Sequence, residues 1–364
     1  MRVAFLYNRS ADDPAHAAED ECPERSPVVA ALSQLGHNVF PIACTLDLEK
    51  IRRQLLKLAP EVVFNRVESL GGSDSMMAAM TLLLDSMQLP YTGNTTEALV
   101  GTASKLRVKQ RLVQADLPTP IWFDRNGARE LGGHSSNALQ FSGSSKYIIK
   151  PDLEHASFAI DNTAIVDVAS DAELCQLIRE RELRSGRPYF AEQLIDGREF
   201  NISIMGDPPH VLPPAEIDFA AFPAGKPRIV SRDAKWNETS FEYHNTPRRF
   251  EFPPSDRNLI DQLTKLTLDC WRLFHLTGYA RVDFRIDPQG QPWILEINTN
   301  PCISPDAGFA AALARAGFEY EAGLQEILNC AVSRRASKVD APNNGRPSCE
   351  RNPAPVHARR ATHA

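Results

Sequence analysis

The chain has 364 residues, enough for two or three domains with real cores, and its apolar (43%) and charged (24%) fractions are those of an ordinary globular protein. A net charge of −6 and a pI of about 5.9 lack the basic footprint of electrostatic nucleic-acid binding. No apolar run approaches the length of a membrane span.

The opening run MRVAFLYN is too short for a secretory signal and reads as a first buried strand, 3–7. A helix at 27–35 ends at Gly36. A strand at 39–42, a helix at 48–58, a strand at 61–65 and a helix at 76–87 follow. Strands alternating with helices predict a parallel α/β sheet over residues 1–100. The next helix, 104–115, is broken by LPTP at 117–120. Residues 127–145, rich in Gly, Ser and Asn, read as irregular, and KYIIKP at 146–151 as a short strand ending in Lys150. After a helix at 171–183, the apolar runs 189–195 and 199–205 are predicted to pair as a hairpin joined by DGR. Residues 219–254 are polar, Pro-rich and aperiodic, and loops of that length often serve as lids. An amphipathic helix spans 259–276.

Residues 280–301 carry the most chemistry. Alternation on both flanks of a turn around Pro288 and Gly290 predicts a β-hairpin. Folding about that turn sets Asp283 roughly opposite Glu296 and Arg281 roughly opposite Asn298. A strand period of two keeps Glu296 and Asn298 on one face. Val282, Phe284, Leu295 and Ile297 are assigned to the other, a core face. Two carboxylates, an amide and a guanidinium thus converge. A hard cation such as Mg²⁺ takes one or two carboxylates and completes its shell with waters and phosphates. A solvated sheet face has the same composition, so both readings stand. Like charges directly opposite destabilise a sheet, and a bound cation would remove that penalty.

Helices at 309–316 and 320–332 follow. Residues 333–364, low in apolar content and rich in Pro, Asn, Arg and Ser, are expected to form a disordered tail. Seven widely spaced cysteines with no Cys-x-x-Cys argue against a zinc site or disulfide framework and fit a reducing cytoplasm. The nine histidines form no His-Glu-x-x-His. There is no Walker loop and no Gly-x-Gly-x-x-Gly, so any nucleotide is held by another device.

Several ordered stretches together resemble the ATP-grasp ligases, and more narrowly the D-alanine–D-alanine ligases, from about residue 60 to 330. TGN at 92–94, SKLRVKQRL at 104–112 and LPTP resemble that family's linker and first nucleotide-binding helix. KPDLEHAS at 150–157 resembles its phosphate-covering loop, EQLIDGREFNI at 192–202 its adenine hinge, and LEINTNP at 295–301 its metal strand, usually Glu-Val-Asn-Thr-x-Pro. The resemblance implies an N-terminal Rossmann-like parallel α/β domain (1–100) and an ATP-grasp fold of two α+β subdomains, 101–188 and 189–332, the latter with a lid at 219–254.

The same resemblance implies roles. Lys105 and Lys150 would neutralise ATP phosphates, Glu192 would sit at the adenine hinge and Glu199 would accept from ribose hydroxyls. Ser157 would lie in the phosphate loop. Asp283, Glu296 and Asn298 would hold two Mg²⁺ ions, for which Mn²⁺ can substitute, and Arg281 would stabilise the reacting acyl centre. Lys235 and Trp236 match the lid's Lys-Tyr pair. Outside the motif each of these is equally a surface charge, a turn serine or a packed aromatic.

The departures fall where substrates bind. In place of His-Gly-x-x-Gly-Glu-Asp-Gly stands VESLGGSDS at 67–75, with Ser73 for the glutamate and Asp74 retained. The Glu-x-Glu-Val-Ser segment is replaced by ECPERS at 21–26, where Glu21 and Glu24 are candidates for the first amino group. After the metal strand Cys302 stands for glycine and Ala307 for serine. Asp306 adds a charge that would repel a carboxylate, or else simply caps the next helix.

The expected function is therefore ATP-dependent joining of a carboxylate to an amine, both small molecules, through an acyl phosphate, with a changed substrate pocket. An amide ligase of specialised metabolism and a degenerate nucleotide-binding regulator are the alternatives. Neither nucleic acid nor membrane is expected as a partner. A homodimer is usual among similar ligases, and no interface is legible in the sequence.

Overall fold

The computed structural model describes residues 1–8, 25–128, 145–154 and 162–340. The first unit comprises β1 (Arg2–Asn8), α1 (Arg25–Gln34), β2 (Asn38–Cys44), α2 (Leu48–Leu58), β3 (Val62–Arg66) and α3 (Met77–Ser86). Its sheet runs β2-β1-β3, all parallel. A central parallel strand is covered on both faces, which is why β1 is a continuous apolar run. Phe5 packs with Val28 and Leu32 of α1, while Ala4 and Leu6 pack with Ile51 and Leu55 of α2. The predicted alternation is present.

Next come α4 (Thr96–Thr102), which the sequence reading missed, α5 (Lys105–Gln114), β4 (Trp122–Asp124), β5 (Gly127–Ala128), β6 (Ser145–Pro151), β7 (Ile165–Val168), α6 (Asp171–Ser185) and β8 (Tyr189–Gln193). These strands form an antiparallel sheet, β5-β4-β8-β6-β7. Leu174 and Ile178 of α6 pack on Phe123, Tyr147 and Ile149.

The expected hairpin of 189–195 with 199–205 is not formed. β8 lies between β4 and β6, whereas β9 (Arg198–Gly206) belongs to the next sheet. The intervening DGR is the crossing between sheets. A Cβ on Gly197 would lie 1.8 Å from the Ile286 carbonyl oxygen, so only glycine lets the two backbones pass.

The third unit adds β10 (Pro209–Val211), β11 (Ala215–Ile217), α7 (Arg232–Trp236), α8 (Phe241–His244), β12 (Arg248–Arg249), α9 (Arg257–Leu273), β13 (Tyr279–Ile286), β14 (Pro292–Asn298), α10 (Gly308–Arg315) and α11 (Tyr320–Asp340). Its sheet runs β12-β11-β9-β13-β14, with β10 on β9. Leu263, Leu266 and Cys270 of α9 cover Phe200, Ile202, Val282 and Phe284 on one face, leaving the other for polar groups. Residues 219–254 contain two short helices and a strand. They also hold a small apolar cluster in which Phe219 and Phe222 meet edge to face at 5.1 Å.

The expected tail also needs correction, because residues 333–340 continue α11. Leu324, Ile327 and Leu328 of this helix pack on Phe5 and Val28 of the first unit. Arg334 then donates to the carbonyls of Gly93 (2.9 Å) and Tyr91 (2.5 Å) and to Thr277 Oγ1. Residues 341–364 lie outside the described residues. Among the described residues no helix is long and apolar enough to cross a membrane.

Candidate active site

The hairpin of β13 and β14 pairs Arg281 with Asn298 and Asp283 with Glu296, in the predicted register. The register then shifts, so that Phe284 faces Ile294. Leu295 is the extra residue of a bulge. The core assignment changes accordingly: Ile294 is fully buried with Val282, Phe284 and Ile297, and Leu295 is only half-buried.

β9 supplies a third row, of which sequence reading had only Glu199 and overlooked Asn201 and Ser203. Ser203 lies beside Arg281, Asn201 beside Asp283 and Glu199 beside Arg285. Alternation therefore builds one polar ladder across three strands, backed by the apolar face under α9. Arg281 grips Asp283 in bidentate fashion, Nε to Oδ1 and Nη2 to Oδ2, both at 2.7 Å. Asn201 Nδ2 donates to Asp283 Oδ1 at 2.9 Å. Burial opposes the Arg281 charge, but Asp283, Glu296 and Glu199 outweigh it and make the guanidinium more basic than usual. Glu199 pairs with Arg285 at 2.8 Å, yet burial still raises its carboxyl above the ordinary range.

Three lysines predicted from separate stretches converge on this ladder. Lys105 opens α5, where Ser104 Oγ donates to Asp152 and the Lys105 amide donates to the Asp152 carbonyl. The Lys105 ammonium donates to the Glu154 carbonyl, and Glu296 is its strongest charged neighbour. Lys235, on α7 of the 219–254 segment, lies within the fields of Arg281, Glu296, Asp283 and Glu199. Burial lowers the basicity of both lysines, and neighbouring cations add to it. Lys150, at the end of β6, pairs with Glu192 and also acts on Lys105 and Glu199.

Glu192, expected at the adenine hinge, is a buried carboxylate. It is 1% exposed and shared by two lysines, Lys150 and the equally buried Lys109, whose Nζ stands 2.7 Å from Oε2. Lys109 also donates to Thr119 Oγ1 at 2.9 Å. Lys109 sits one helical turn after Lys105, so the i, i+4 spacing in SKLRVKQRL was the available signal. Asp74 opens the turn Asp74–Met76 and acts on Lys105 from the first unit. A cavity of about 330 Å³ beside it is lined by Asp74, Ser75, Ser104, Arg107 and Asp152. Glu21, Glu24 and Ser157 lie outside the described residues, as does the Trp236 side chain.

Beyond the hairpin, Asp306 is exposed and does not cap α10. The N-cap is Ala307, with no side-chain capping bond. Cys302 is half-buried, its Sγ 3.3 Å from Ser304 Oγ. Arg248 of β12 reaches this turn, donating from Nη1 to the Asp306 carbonyl at 3.1 Å. Sequence reading missed Arg248 because nothing local in its strand marks it.

The residues fit a nucleotide triphosphate with a hard cation. Lys105 and Lys235 are cations that burial penalises, and a polyanion would offset that penalty. Among the described residues no group of three His, Cys, Asp or Glu side chains could hold a metal alone. Asp283, Glu296 and the Asn298 amide form the sparser oxygen set suited to an ion completed by substrate phosphates.

Comparison with known proteins bears on the family and the fold. Residues 143–329 match the family model described as D-ala D-ala ligase C-terminus. A D-alanine–D-alanine ligase of Moorella thermoacetica is 28% identical over 334 residues, covering 91% of this chain and 99% of the relative. An uncharacterized protein, y4sG, of Sinorhizobium fredii is 27% identical over 315 residues, covering 84% of this chain and 87% of the relative. Among solved structures, the D-alanine–D-alanine ligase of Bacillus anthracis complexed with ATP superposes with a TM-score of 0.65 at 18% identity, over 93% of this chain and 99% of that one. The ligase from Coxiella burnetii gives 0.63 at 16% identity, over 93% and 97%. The fold is accordingly a parallel α/β unit followed by an ATP-grasp fold of two α+β parts. The chain belongs to the D-alanine–D-alanine ligase family and is an ATP-grasp ligase that forms C–N bonds with release of ADP.

Proposed function

We propose that this ATP-dependent ligase joins a carboxylate, an amino acid or dipeptide, to an amine through an acyl phosphate, and that its amine site differs from the family pattern. The observation that carries the reading is the ladder of Arg281, Asp283, Glu296 and Asn298, flanked by Lys105, Lys150 and Lys235.

A carboxylate oxygen of the first substrate attacks the γ-phosphorus, and ADP leaves. The amine nitrogen of the second then attacks the acyl carbon, the C–O bond to phosphate breaks, and the amine loses a proton. Both steps bring anions together, so cations dominate the machinery. Lys105 and Lys150 hold the phosphates. Asp283, Glu296 and Asn298 would hold the divalent cations, Mg²⁺ or Mn²⁺, which when bound would supply screening of the phosphate charge. Arg281, locked by its fork on Asp283, faces the charge that develops on the acyl group. Glu199 accepts from the ribose. Glu192 acts one step back, orienting Lys150.

We assign β8 to the middle unit, giving working boundaries of 1–100, 101–193 and 194–340. Residues 219–254 serve as a lid carrying Lys235, and its closure excludes the water that would hydrolyse the acyl phosphate. The departures at Ser73, Cys302, Asp306 and Ala307 support a changed substrate pair. An amide ligase of specialised metabolism would share the whole ladder and differ only there. A nucleotide-binding regulator would have less need of the paired carboxylates.

Trapping with hydroxylamine tests the chemistry. Wild-type protein, ATP, Mg²⁺ and a panel of D- and L-amino acids should yield a hydroxamate together with ADP. Asp283→Ala should lower turnover about 100-fold or more. Full activity in that variant removes the metal assignment, and selective turnover of D-alanine alone removes the changed acceptor.

A further inference from the structure

Arg285 stands at the end of the polar ladder, directly opposite Glu199 across β13 and β9. Both residues are buried, and Arg285 Nη2 lies 2.8 Å from Glu199 Oε2. The same guanidinium makes further contacts. Nη1 donates to the Gly197 carbonyl at 3.0 Å, at the crossing between the two sheets. Nη2 also donates to the Arg228 carbonyl. The guanidinium carbon lies 5.5 Å from the centre of the Phe219 ring. Phe219 and Arg228 both belong to the 219–254 segment, so one side chain ties that segment to the carboxylate assigned to the ribose.

The tie continues into the middle unit. Ile229, next in the chain to Arg228, packs with Ile148 of β6 and with Leu194 just after β8. Phe219 packs with Ile217 of β11 and with Phe222. A guanidinium carries five donors in a fixed plane, so it can serve a carboxylate and two carbonyls at once, which a lysine ammonium does less well. Of the cations that act on Glu199, Arg285 acts most strongly, ahead of Lys235 and Lys150. Its pair with Oε2 fixes the rotation of the carboxylate and leaves Oε1 for a hydroxyl.

We propose that Arg285 is a positioning residue of the nucleotide site: it fixes Glu199 for the ribose and anchors the 219–254 segment through Phe219 and Arg228, so that filling the ribose site and docking that segment are coupled. The inference rests on the reading of Glu199 as the ribose acceptor. It adds that the segment responds to the sugar of the nucleotide, through a residue that touches neither the sugar nor the phosphates.

The test uses the full-length protein with Mg²⁺ and compares ATP with 2′,3′-dideoxy-ATP. Titration calorimetry gives the Kd of each nucleotide, and limited proteolysis at saturating nucleotide reports protection of residues 219–254. Neither needs turnover, so both are independent of the acyl-phosphate chemistry. The wild type should favour ATP about 10-fold or more and be better protected by ATP than by the dideoxy nucleotide. A wild type without that preference, or a Glu199→Met variant that keeps it, removes the ribose reading of Glu199 and this inference with it. With the ribose reading standing, Arg285→Met should cut the preference to below about threefold and make the two protections equal. Replacing both Glu199 and Arg285 with Met leaves neither charge buried without its partner, and ATP should bind the double variant within about twofold of Glu199→Met alone, because Arg285 acts through Glu199. Arg285→Lys keeps the buried charge, folds where methionine does not, and should fall between wild type and Arg285→Met. A purely structural staple would lower stability and leave the nucleotide preference unchanged. Full ATP preference in folded Arg285→Met, wild-type preference and protection in Arg285→Lys, or additive weakening in the double variant overturns the assignment.

Discussion

Replacing Glu192 with glutamine removes one charge from a site that holds three. Lys109 and Glu192 are 1% and 2% exposed at their side chains, with Nζ 2.7 Å from Oε2, and Lys150 occupies the other oxygen. At an effective dielectric of about 20, a pair at that distance attracts by about 6 kcal/mol before desolvation is counted. Breaking a buried pair by removing one partner costs about 3–5 kcal/mol, because the remaining charge stays buried. Glutamine keeps the volume and one acceptor oxygen, so charge is the main loss. The pH dependence follows from the shifts. Burial alone would raise the Glu192 carboxyl, and the two lysines outweigh it and hold it below its ordinary value. Its stabilisation is therefore complete above the ordinary carboxylate range, near pH ~4.3, and is lost as pH falls through the depressed native value. Burial depresses Lys109, against the pull of Glu192. In the variant that depression deepens, so the unfolded state binds more protons and stability recovers as pH rises towards ~10.4. Urea unfolding at several pH values from 6 to 9.5 should show a deficit of about 3–5 kcal/mol at pH 7 that shrinks with pH. Glu192→Gln with Lys109→Met should recover at least half of it. A loss below about 1 kcal/mol, or an equal deficit across that range, would refute the buried triad.

Two further outcomes follow from the corrected fold. A chain ending at residue 332 loses Arg334 and its bonds to Gly93, Tyr91 and Thr277, whereas one ending at Asp340 keeps them. Calorimetry should place the shorter chain about 2–4 kcal/mol below the longer; equal stability would remove Arg334 as the clamp. Gly197→Ala drives a Cβ into the Ile286 carbonyl at the crossing between sheets, and a loss of about 2–3 kcal/mol or more is expected in denaturant titration. A neutral result there would mean that the two backbones are not in contact.

Much of the site was legible because its information is local. The hairpin of β13 and β14 has its register set by a short turn, in which Asp287 Oδ1 accepts from the amides of Gln289 and Gln291. Counting outward from the inner pair of Ile286 with Pro292 sets Asp283 opposite Leu295, and it is the bulge there that brings Glu296 opposite Asp283. The bulge at Leu295 escaped the count because a period of two carries no sign of an extra residue. The elements of the first unit were equally readable, since each strand and helix carries its own period.

What sequence by itself determined, then, is the chemistry of each segment: which face of a strand is polar, which lysine ends a strand, which helix is amphipathic. Sheet membership was decided only by the tertiary structure. β8 and β9 read identically as adjacent apolar runs, and the backbone hydrogen bonds that separate them go to partners far along the chain. The same holds for Glu192, whose burial between Lys109 and Lys150 turns a surface-like glutamate into a shared counter-ion. It holds for Arg248 as well, which meets Asp306 from 58 residues away. Local periodicity follows from the pitch of helix and strand and is written into short windows. Long-range pairing depends on which burial satisfies the most backbone and apolar surface at once, and no short window contains that comparison.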